Sequence, residues 1–382
     1  MNFTFTEEQL LIQKLMREFC AKEIAPGAAE RDEKADFSSA YEIMMKKMAP
    51  LGLMSLWFPK EYGGLGLDYV TFALAGFELN KVEVGFGTAY SVQMTLGSYP
   101  LYAYGTEEQK QKWFVPLAKG EKLASFGLTE PNAGSDAAMQ ETTAVLDGDS
   151  YVLNGSKIYI TNAGYSDIYT VFAMTDKSKG VKGISAFIVE KDTPGFVIGP
   201  ESRKMGIRAS TQRELYFENC RIPEGNLLGK EGEGFKIAMS ALDLGRVGVA
   251  AQGVGVAMGA LEAAVKYSKE RVQFGKPISS QQAVAFMIAD MACKVETARL
   301  LVLEAAWLGS QGLPYTKESA MAKLVASDTA MEVTTNAVQI FGGAGYLKDH
   351  PLERMMRDAK ILQIYEGTNQ IQRLVISGAI LR

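Results

Sequence analysis

One histidine, His350, and three cysteines, Cys20, Cys220 and Cys293, are the only imidazole and thiol groups in 382 residues. A Cys/His zinc site takes at least three nitrogen or sulfur ligands, and no C-x-x-C, H-x-x-H or H-E-x-x-H spacing occurs, so no metal site is expected. A Ser-His-Asp or Cys-His mechanism would depend on His350, which lies in the charged stretch Lys348-Asp349-His350-Pro351-Leu352-Glu353-Arg354. Hydrolase chemistry is therefore disfavoured, and a catalytic base is expected to be a carboxylate. Scattered cysteines fit a reducing compartment better than a disulfide framework. Between Met1 and Leu10 no basic region precedes an apolar core, so neither a signal peptide nor a transit peptide is expected and a cytoplasmic location is the default. Excess charge of one sign is missing too: 40 basic and 44 acidic residues, interspersed, give −4, with no nucleic-acid footprint. Long apolar runs are also scarce. Val84 to Thr106 lacks charge but carries hydroxyls, four tyrosines and Pro100, and Val247 to Leu261 is short and includes Gln252. Both read as helices covered by protein, not as stable membrane insertions.

What is present is an ordinary globular composition, 47% hydrophobic and 22% charged, over a length that suits two or three domains. From Phe5 to about Gly120 the period is helical. Thr6-Glu7-Glu8-Gln9 resembles a capping box ahead of Leu10, Leu11, Leu15, Met16 and Phe19, and further helices are expected around 38–49, 67–81, 87–98 and 106–118. The stretch 121–230 changes to strand patterning. Tyr151-Val152-Leu153, then Asn154-Gly155, then Ser156 to Thr161 predicts a hairpin on a type I′ turn, and strand-like runs follow at Ile168–Met174, Ile184–Val189 and Arg213–Phe217. An antiparallel β domain is expected there. The helical period returns at Gly232, with helices expected at 232–270, 278–309, 315–341, 351–359 and 368–380, packed as a bundle with subunit contacts. The expected organisation is thus a mainly α chain with a central β domain: helical 1–120, β 121–231, helical bundle 232–382.

Three local patterns bear on chemistry. Gly253-Val254-Gly255-Val256-Ala257-Met258-Gly259 has the wrong spacing for a dinucleotide fingerprint and no preceding strand, so its glycines are read as close helix packing. In Phe126-Gly127-Leu128-Thr129-Glu130-Pro131-Asn132-Ala133-Gly134-Ser135-Asp136 a strand opens into a loop whose N–H groups and hydroxyls suit a cofactor edge or a phosphate, although composition alone fits an ordinary turn. In Tyr365-Glu366-Gly367-Thr368-Asn369-Gln370 a carboxylate flanked by Ile361, Leu362, Ile364 and Tyr365 can be desolvated towards a general base, while many glutamates near a helix start merely favour its dipole.

Taken in order, these segments resemble the acyl-CoA dehydrogenases, flavoenzymes that desaturate acyl-CoA thioesters. The resemblance runs over essentially the whole chain and rests on Phe126–Asp136, Tyr159-Ile160-Thr161, Asp243-Leu244-Gly245-Arg246, Arg271-Val272-Gln273-Phe274-Gly275, Gln339 to Tyr346 and Tyr365-Glu366-Gly367-Thr368. It implies a helical domain, an antiparallel β-barrel-like domain and a C-terminal four-helix bundle, with FAD between the last two. By this resemblance Phe126, Leu128, Thr129 and Ser135 meet the flavin or substrate edge, and Tyr159 and Thr161 lie beside the isoalloxazine, Tyr159 standing where the family often has Trp. Arg271, Gln273, Phe274, Gln339 and Gly343 resemble residues that bind FAD across a subunit contact, so a homotetramer, or at least a dimer, is implied. Thr368 and Gln370 also face FAD, Ser135 and Gly367 adjoin substrate, and Asp243 and Arg246, which would otherwise read as a surface ion pair, meet the CoA portion.

The implied mechanism has Glu366 removing the α-proton while a hydride leaves the β-carbon for the flavin, the backbone N–H of Glu366 helping to stabilise the enolate. Electrons then pass to an electron-transferring flavoprotein. Isovaleryl-type and long-chain-type relatives place their base where this chain has Gly245, so the arrangement resembles the short-chain, butyryl-type branch. Glutaryl-type relatives carry an arginine where this chain has Gly87, which disfavours a dicarboxylic substrate. Tyr90, Met94, Leu96 and Tyr99 either shorten the acyl pocket, line a slot for a branched or cyclic acyl group, or are plain core. An enoyl-CoA reductase running in reverse and a non-catalytic flavin or acyl-CoA binding protein are the alternatives.

Overall fold

A computed structural model describes residues 4–381; the outermost positions of the expected end domains, 1–3 and 382, lie outside the described residues. The chain starts as its capping box dictates. Thr6 N–H donates to Gln9 Oε1 at 3.0 Å, Gln9 N–H returns a bond to Thr6 Oγ1 at 3.2 Å, and α1 (Glu7–Phe19) follows. Then come α2 (Ala28–Lys34), α3 (Phe37–Ile43), α4 (Tyr69–Asn80), α5 (Val84–Val92), α6 (Tyr99–Tyr104), α7 (Glu107–Gln109) and α8 (Val115–Ala118).

The expected unbroken helices at 38–49, 87–98 and 106–118 are interrupted by widened π turns at Met44–Met48, Gln93–Gly97 and Lys110–Phe114, with another at Cys20–Ile24. Each precedes a proline closely: Pro50, Pro100, Pro116 and Pro26. A proline ring lacks the N–H and crowds the carbonyl four residues back, and a wider turn relieves that crowding. The turn at Gln93–Gly97 also joins layers. Its Met94 carbonyl accepts the Trp57 indole N–H at 3.0 Å, and Gln93 Oε1 accepts the Ala124 N–H at 2.8 Å, tying the helical layer to the first strand.

The middle region forms one open sheet from β1 (Ala124–Gly127), β2 (Thr143–Asp147), β3 (Ser150–Thr161), β4 (Ile168–Met174), β5 (Ile184–Glu190), β6 (Phe196–Glu201), β7 (Gln212–Pro223) and β8 (Leu227–Leu228), in the order β6-β7-β3-β2-β4-β5-β8 with β1 also on β4. Two details differ from the antiparallel, barrel-like expectation: β1 and β2 each pair with β4 in parallel, and the sheet does not close. The expected hairpin at Asn154-Gly155 is corrected as well. Ser150–Thr161 is one strand, and the chain reverses between β2 and β3 at Gly148-Asp149, where Gly148 has φ +68°. Asn154-Gly155 instead sits in a bulge opposite β7. There Gly155 takes φ +142° and passes so close to Thr142 that a Cβ would lie 2.7 Å from its Cα. β4 is buried on both faces: Ile168, Phe172 and Met174 join the helical core, and Tyr169, Val171 and Ala173 the core inside the sheet.

After the sheet come α9 (Gly234–Glu270), the short hairpin β9 (Val272–Gln273) and β10 (Lys276–Pro277), α10 (Gln282–Ser310), α11 (Thr316–Phe341), α12 (Leu352–Ile361) and α13 (Asn369–Ile380). Long enough and apolar enough to cross a membrane, α9 nonetheless has 78% of its most apolar window buried inside the fold, as the axis of the bundle. Its glycines serve close packing. A Cβ at Gly253, Gly255 or Gly259 would lie 2.8, 2.7 or 2.6 Å from the carbonyl oxygens of Ala326, Phe77 and Lys81. His350 packs edge-on against Phe341, with ring centroids 5.1 Å apart.

Candidate active site

The turn between α12 and α13 carries Glu366. Ile364 N–H and Tyr365 N–H both bond the Ile361 carbonyl, at 2.8 and 3.1 Å, closing off α12. Glu366 then takes φ +52° and Gly367 φ +90°, before Thr368 caps α13 by accepting the Ile371 N–H at 3.3 Å. A left-handed glutamate costs about 1 kcal/mol or more and persists only where its surroundings enforce it. Here the enforcement is polar. Gln372 Nε2 donates to the Glu366 and Gly367 carbonyls at 3.1 and 2.9 Å, and Lys323 Nζ donates to the same Gly367 carbonyl at 2.7 Å.

The Glu366 side chain lies over Gly245 of α9. A Cβ at 245 would fall inside contact distance of Glu366 Oε2 and 3.0 Å from Leu96 Cδ2, so a larger residue there would push the carboxylate from this place. Oε2 is sealed from solvent and has no hydrogen-bond partner. Burial raises the Glu366 pKa to about 7, while the charges of Lys323 and Arg246 pull it back. Among the described residues, nothing accepts the Glu366 backbone N–H. One residue therefore presents a poised base and a free donor side by side.

Around it, Arg246 Nη1 donates to Asp243 Oδ1 at 2.5 Å and Thr316 Oγ1 to Asp243 Oδ2 at 2.6 Å. The pair is not a freely solvated one: Arg246 is buried and Asp243 half-buried. Tyr365 donates its hydroxyl to Gln252 Oε1, whose amide donates to the Gly87 carbonyl at 3.2 Å. Gly87 cannot carry a side chain without displacing Asn80, since a Cβ there would lie 2.6 Å from Asn80 Cγ. Of the four residues weighed for an acyl pocket, Tyr90 and Met94 are core, and Leu96 stands above Gly245.

The π turn that carries Leu96 lies against the start of β1, where a Cβ at Gly97 would come 2.8 Å from Ala124 Cβ, which brings the strand and the loop after it close to this turn. Phe126 ends β1 in an edge-tilted pair with Phe172, centroids 4.9 Å apart. Thr129 accepts the Ile158 N–H at 2.9 Å, so the loop is laid along β3. At the second bulge of β3, Tyr159 takes φ +61° and is 63% exposed; Thr161, two residues on, is half-buried, and Ser135 in the loop after β1 is exposed. Thr368 is half-buried and Gln370 exposed, immediately after the Glu366 turn.

The patterns above did not single out the support beneath this loop. Lys157 is fully buried and donates to Glu130 Oε1 at 2.6 Å, Gln140 Oε1 at 3.1 Å and the Leu128 carbonyl at 3.2 Å. Burial lowers its pKa to about 8 against the pull of Glu130. Glu130 also accepts the Glu141 and Thr142 N–H groups at 2.6 and 3.1 Å, and together with Lys157 these outweigh burial and hold its carboxyl below the usual range.

A second group of expected cofactor residues lies elsewhere. Arg271, Gln273 and Phe274 project from the β9–β10 hairpin, with Phe274 at φ +51° and 93% exposed. Gln339 and Gly343 are exposed at the end of α11, joined to the hairpin region by Phe341 stacked on Tyr267 at 3.9 Å. From Gly245 to Arg271 is about 39 Å along α9 at 1.5 Å per residue. The hairpin thus follows the C-terminal end of α9, whereas Glu366 of the same chain lies against Gly245 in the first third of that helix.

Comparison with known proteins follows this layout. Residues 6–121, 125–220 and 232–381 match the family models described as the N-terminal, middle and C-terminal domains of acyl-CoA dehydrogenase. The short-chain specific acyl-CoA dehydrogenase of Clostridium acetobutylicum is 54% identical over 382 residues, all of both chains. An acryloyl-CoA reductase (NADH) of Anaerotignum propionicum is 49% identical, over all of this chain and 96% of its own. Among solved structures, butyryl-CoA dehydrogenase from Megasphaera elsdenii superposes with a TM-score of 0.97 at 50% identity. A chain from work on the electron transferring flavoprotein of Acidaminococcus fermentans gives 0.97 at 57%, each covering all of both chains. An acyl-CoA dehydrogenase from Bacillus anthracis, solved with FAD, gives 0.93 at 36% identity over 99% of this chain and 67% of its own.

Proposed function

Because the chain belongs to the acyl-CoA dehydrogenase family, FAD-dependent oxidoreductases acting on CH–CH bonds, we propose that it is a cytoplasmic dehydrogenase of short-chain acyl-CoA. Its product is the trans-2-enoyl-CoA, and its electrons go to an electron-transferring flavoprotein. We read it as three domains, 1–120, 121–231 and 232–382. The observation that carries the reading is Glu366: its unpartnered carboxylate oxygen lies against Gly245, and among the described residues nothing accepts its backbone N–H.

The residues present fit FAD. An outward aromatic at Tyr159, polar groups at Thr129, Ser135 and Thr161, and a loop carbonyl fixed by a buried lysine suit the edge of a flavin ring, with Phe126 and Leu128 behind it. When bound, FAD supplies the hydride acceptor. The chain supplies the rest. An α-hydrogen beside a thioester carbonyl is weakly acidic, so its removal needs a base of matched pKa and a donor for the developing enolate oxygen. Glu366 carries both, its carboxylate taking the proton and its N–H meeting the oxygen. Buried Arg246 and Asp243 hold the wall on the CoA side, and Gly367 adjoins the thioester. Tyr365 and Gln252 are joined by a hydrogen bond beside this turn, and the short-chain reading rests on the likeness to short-chain dehydrogenases.

With the base pKa near 7, kcat/KM for anaerobic flavin reduction should rise about tenfold per pH unit below pH 7 and level off above it. A flat profile between pH 5 and 8 would contradict Glu366 as the proton acceptor. A panel of saturated acyl-CoA thioesters tests the substrate class: butyryl-CoA should bleach the flavin fastest. A faster branched, cyclic or long-chain substrate would refute the short-chain assignment. A second reading, the same site reducing an enoyl-CoA, is favoured by the 49% identity to an acryloyl-CoA reductase. Reoxidation of the reduced flavin by crotonyl-CoA, compared with reduction by butyryl-CoA, separates the two directions.

The span along α9 bears on assembly. Arg271, Gln273, Phe274, Gln339 and Gly343 cannot reach the ring held near Glu366 of their own chain and are free to complete a neighbour's site, in a homotetramer of paired subunits. Complementation tests this. Glu366→Gln and the double variant Arg271→Ala/Phe274→Ala should each be inactive alone. Mixed in equal amounts during refolding or co-expression, they should recover about a quarter of wild-type activity, because one site in four combines both intact parts. No recovery would place both parts in a single chain's site.

A further inference from the structure

Below the Glu366 turn lies a buried cation to which the reaction as derived assigns no role. Lys323, on α11, is fully buried, and its ammonium donates to the Gly367 carbonyl at 2.7 Å and to Asn369 Oδ1 at 2.9 Å. Asn369 is itself held: its amide donates to Ser327 Oγ at 2.9 Å and Asp328 Oδ1 at 2.7 Å, and Gln363 Nε2 reaches Asp328 Oδ1 at 2.7 Å. Both side-chain hydrogen bonds of Lys323 therefore lead into the segment 363–372. A hydrophobic residue of similar length would fill the same space at a far lower desolvation cost, so packing alone does not explain a charge here.

We propose that Lys323 is a positioning residue of the dehydrogenation: by gripping the Gly367 carbonyl from beneath, it fixes the left-handed turn that aims both the Glu366 carboxylate and the Glu366 N–H at the thioester. The inference rests on the reading of Glu366 as base. Two consequences separate it from a merely structural role. The turn presents its N–H to the enolate oxygen only in this conformation, so loss of the grip acts on the transition state more than on substrate binding. The Lys323 charge also acts on the Glu366 carboxyl, favouring its ionised form. The charged or titratable groups facing Glu366 are Lys323 from α11 and Arg246 from α9, with the Tyr365 phenol beside it, and Asp328 faces Lys323 one turn further along α11. Burial lowers the Lys323 pKa, with Glu366 and Asp328 working in the opposite direction.

The test compares wild type, Lys323→Met and Lys323→Gln as flavin-loaded holoenzymes with butyryl-CoA. Methionine removes grip and charge, and glutamine restores a donor without the charge. In Lys323→Met, kcat should fall at least about 30-fold with KM within about threefold, while the flavin spectrum and content are kept. Its acid limb in kcat/KM should move up by about one pH unit or more, because a cation favouring the carboxylate is gone. Lys323→Gln should regain at least about fivefold in kcat yet keep the raised limb, since only the donor returns. A Lys323→Met enzyme within about threefold of wild-type kcat, an unmoved limb, or KM rising in step with the loss of kcat overturns the proposal. So does loss of flavin or fold in both variants, which would make Lys323 structural. A folded, flavin-loaded wild type that butyryl-CoA does not reduce, together with the other acyl-CoA thioesters, would instead refute the dehydrogenase reading beneath it.

Discussion

Glu366→Gln is expected to give a protein that is yellow, folded and nearly inert. Glutamine has the same shape and fits the space above Gly245, but its amide cannot accept a proton. Positioned general bases contribute about 10²- to 10⁴-fold, so flavin reduction by butyryl-CoA should slow by that factor, a barrier increase of about 2.7 to 5.4 kcal/mol. Thermal stability should stay level or rise, because the substitution removes a carboxylate that burial already disfavours. Stopped-flow bleaching of the flavin measures the first effect and a melting curve the second. A variant reduced at the wild-type rate would transfer the proton to another group. A variant that melted early would make Glu366 a structural anchor.

The largest stability effect is expected at Lys157→Met. Removing the lysine leaves Glu130, 3% exposed, with only backbone N–H partners, and frees the Leu128 carbonyl. Breaking one side of a buried pair costs about 3–5 kcal/mol, most of it the stranded charge. The unfolding midpoint in denaturant should fall accordingly, and FAD should wash out more readily as the loop from Leu128 to Ser135 loses its support. Adding Glu130→Gln should restore at least half of the lost stability, since a neutral amide is cheaper to bury. If the single variant lay within about 1 kcal/mol of wild type, the pair would be incidental to the loop.

Much of the fold could be read from local chemistry, and the exceptions have physical causes. Helices α9 to α13 fall close to their expected ranges, because each carries its own period, cap or glycine stop. The π turns were hidden because a proline announces a break without saying whether the preceding turn widens or ends. Asn154-Gly155 misled because positive φ serves a hairpin turn and a bulge equally, and the choice was made by β7 and Thr142, far away in sequence. At the site, apolar flanks and a glycine neighbour made Glu366 one candidate among many glutamates near helix starts, and only the resemblance carried by the order of the motifs singled it out. Lys157 and Lys323 were not singled out, since a buried lysine is indistinguishable in sequence from a solvated one until its partners are placed around it. Asp243 and Arg246 show the same limit: three-residue spacing correctly put them on one helical face but left open whether that face was wet.

The glycine beneath the carboxylate also limits where a second acid could stand. A side chain at 245 and the one at 366 compete for a single volume. A carboxylate added at Gly245 would meet that of Glu366 as a like charge in a desolvated space, so one of the two would keep its proton.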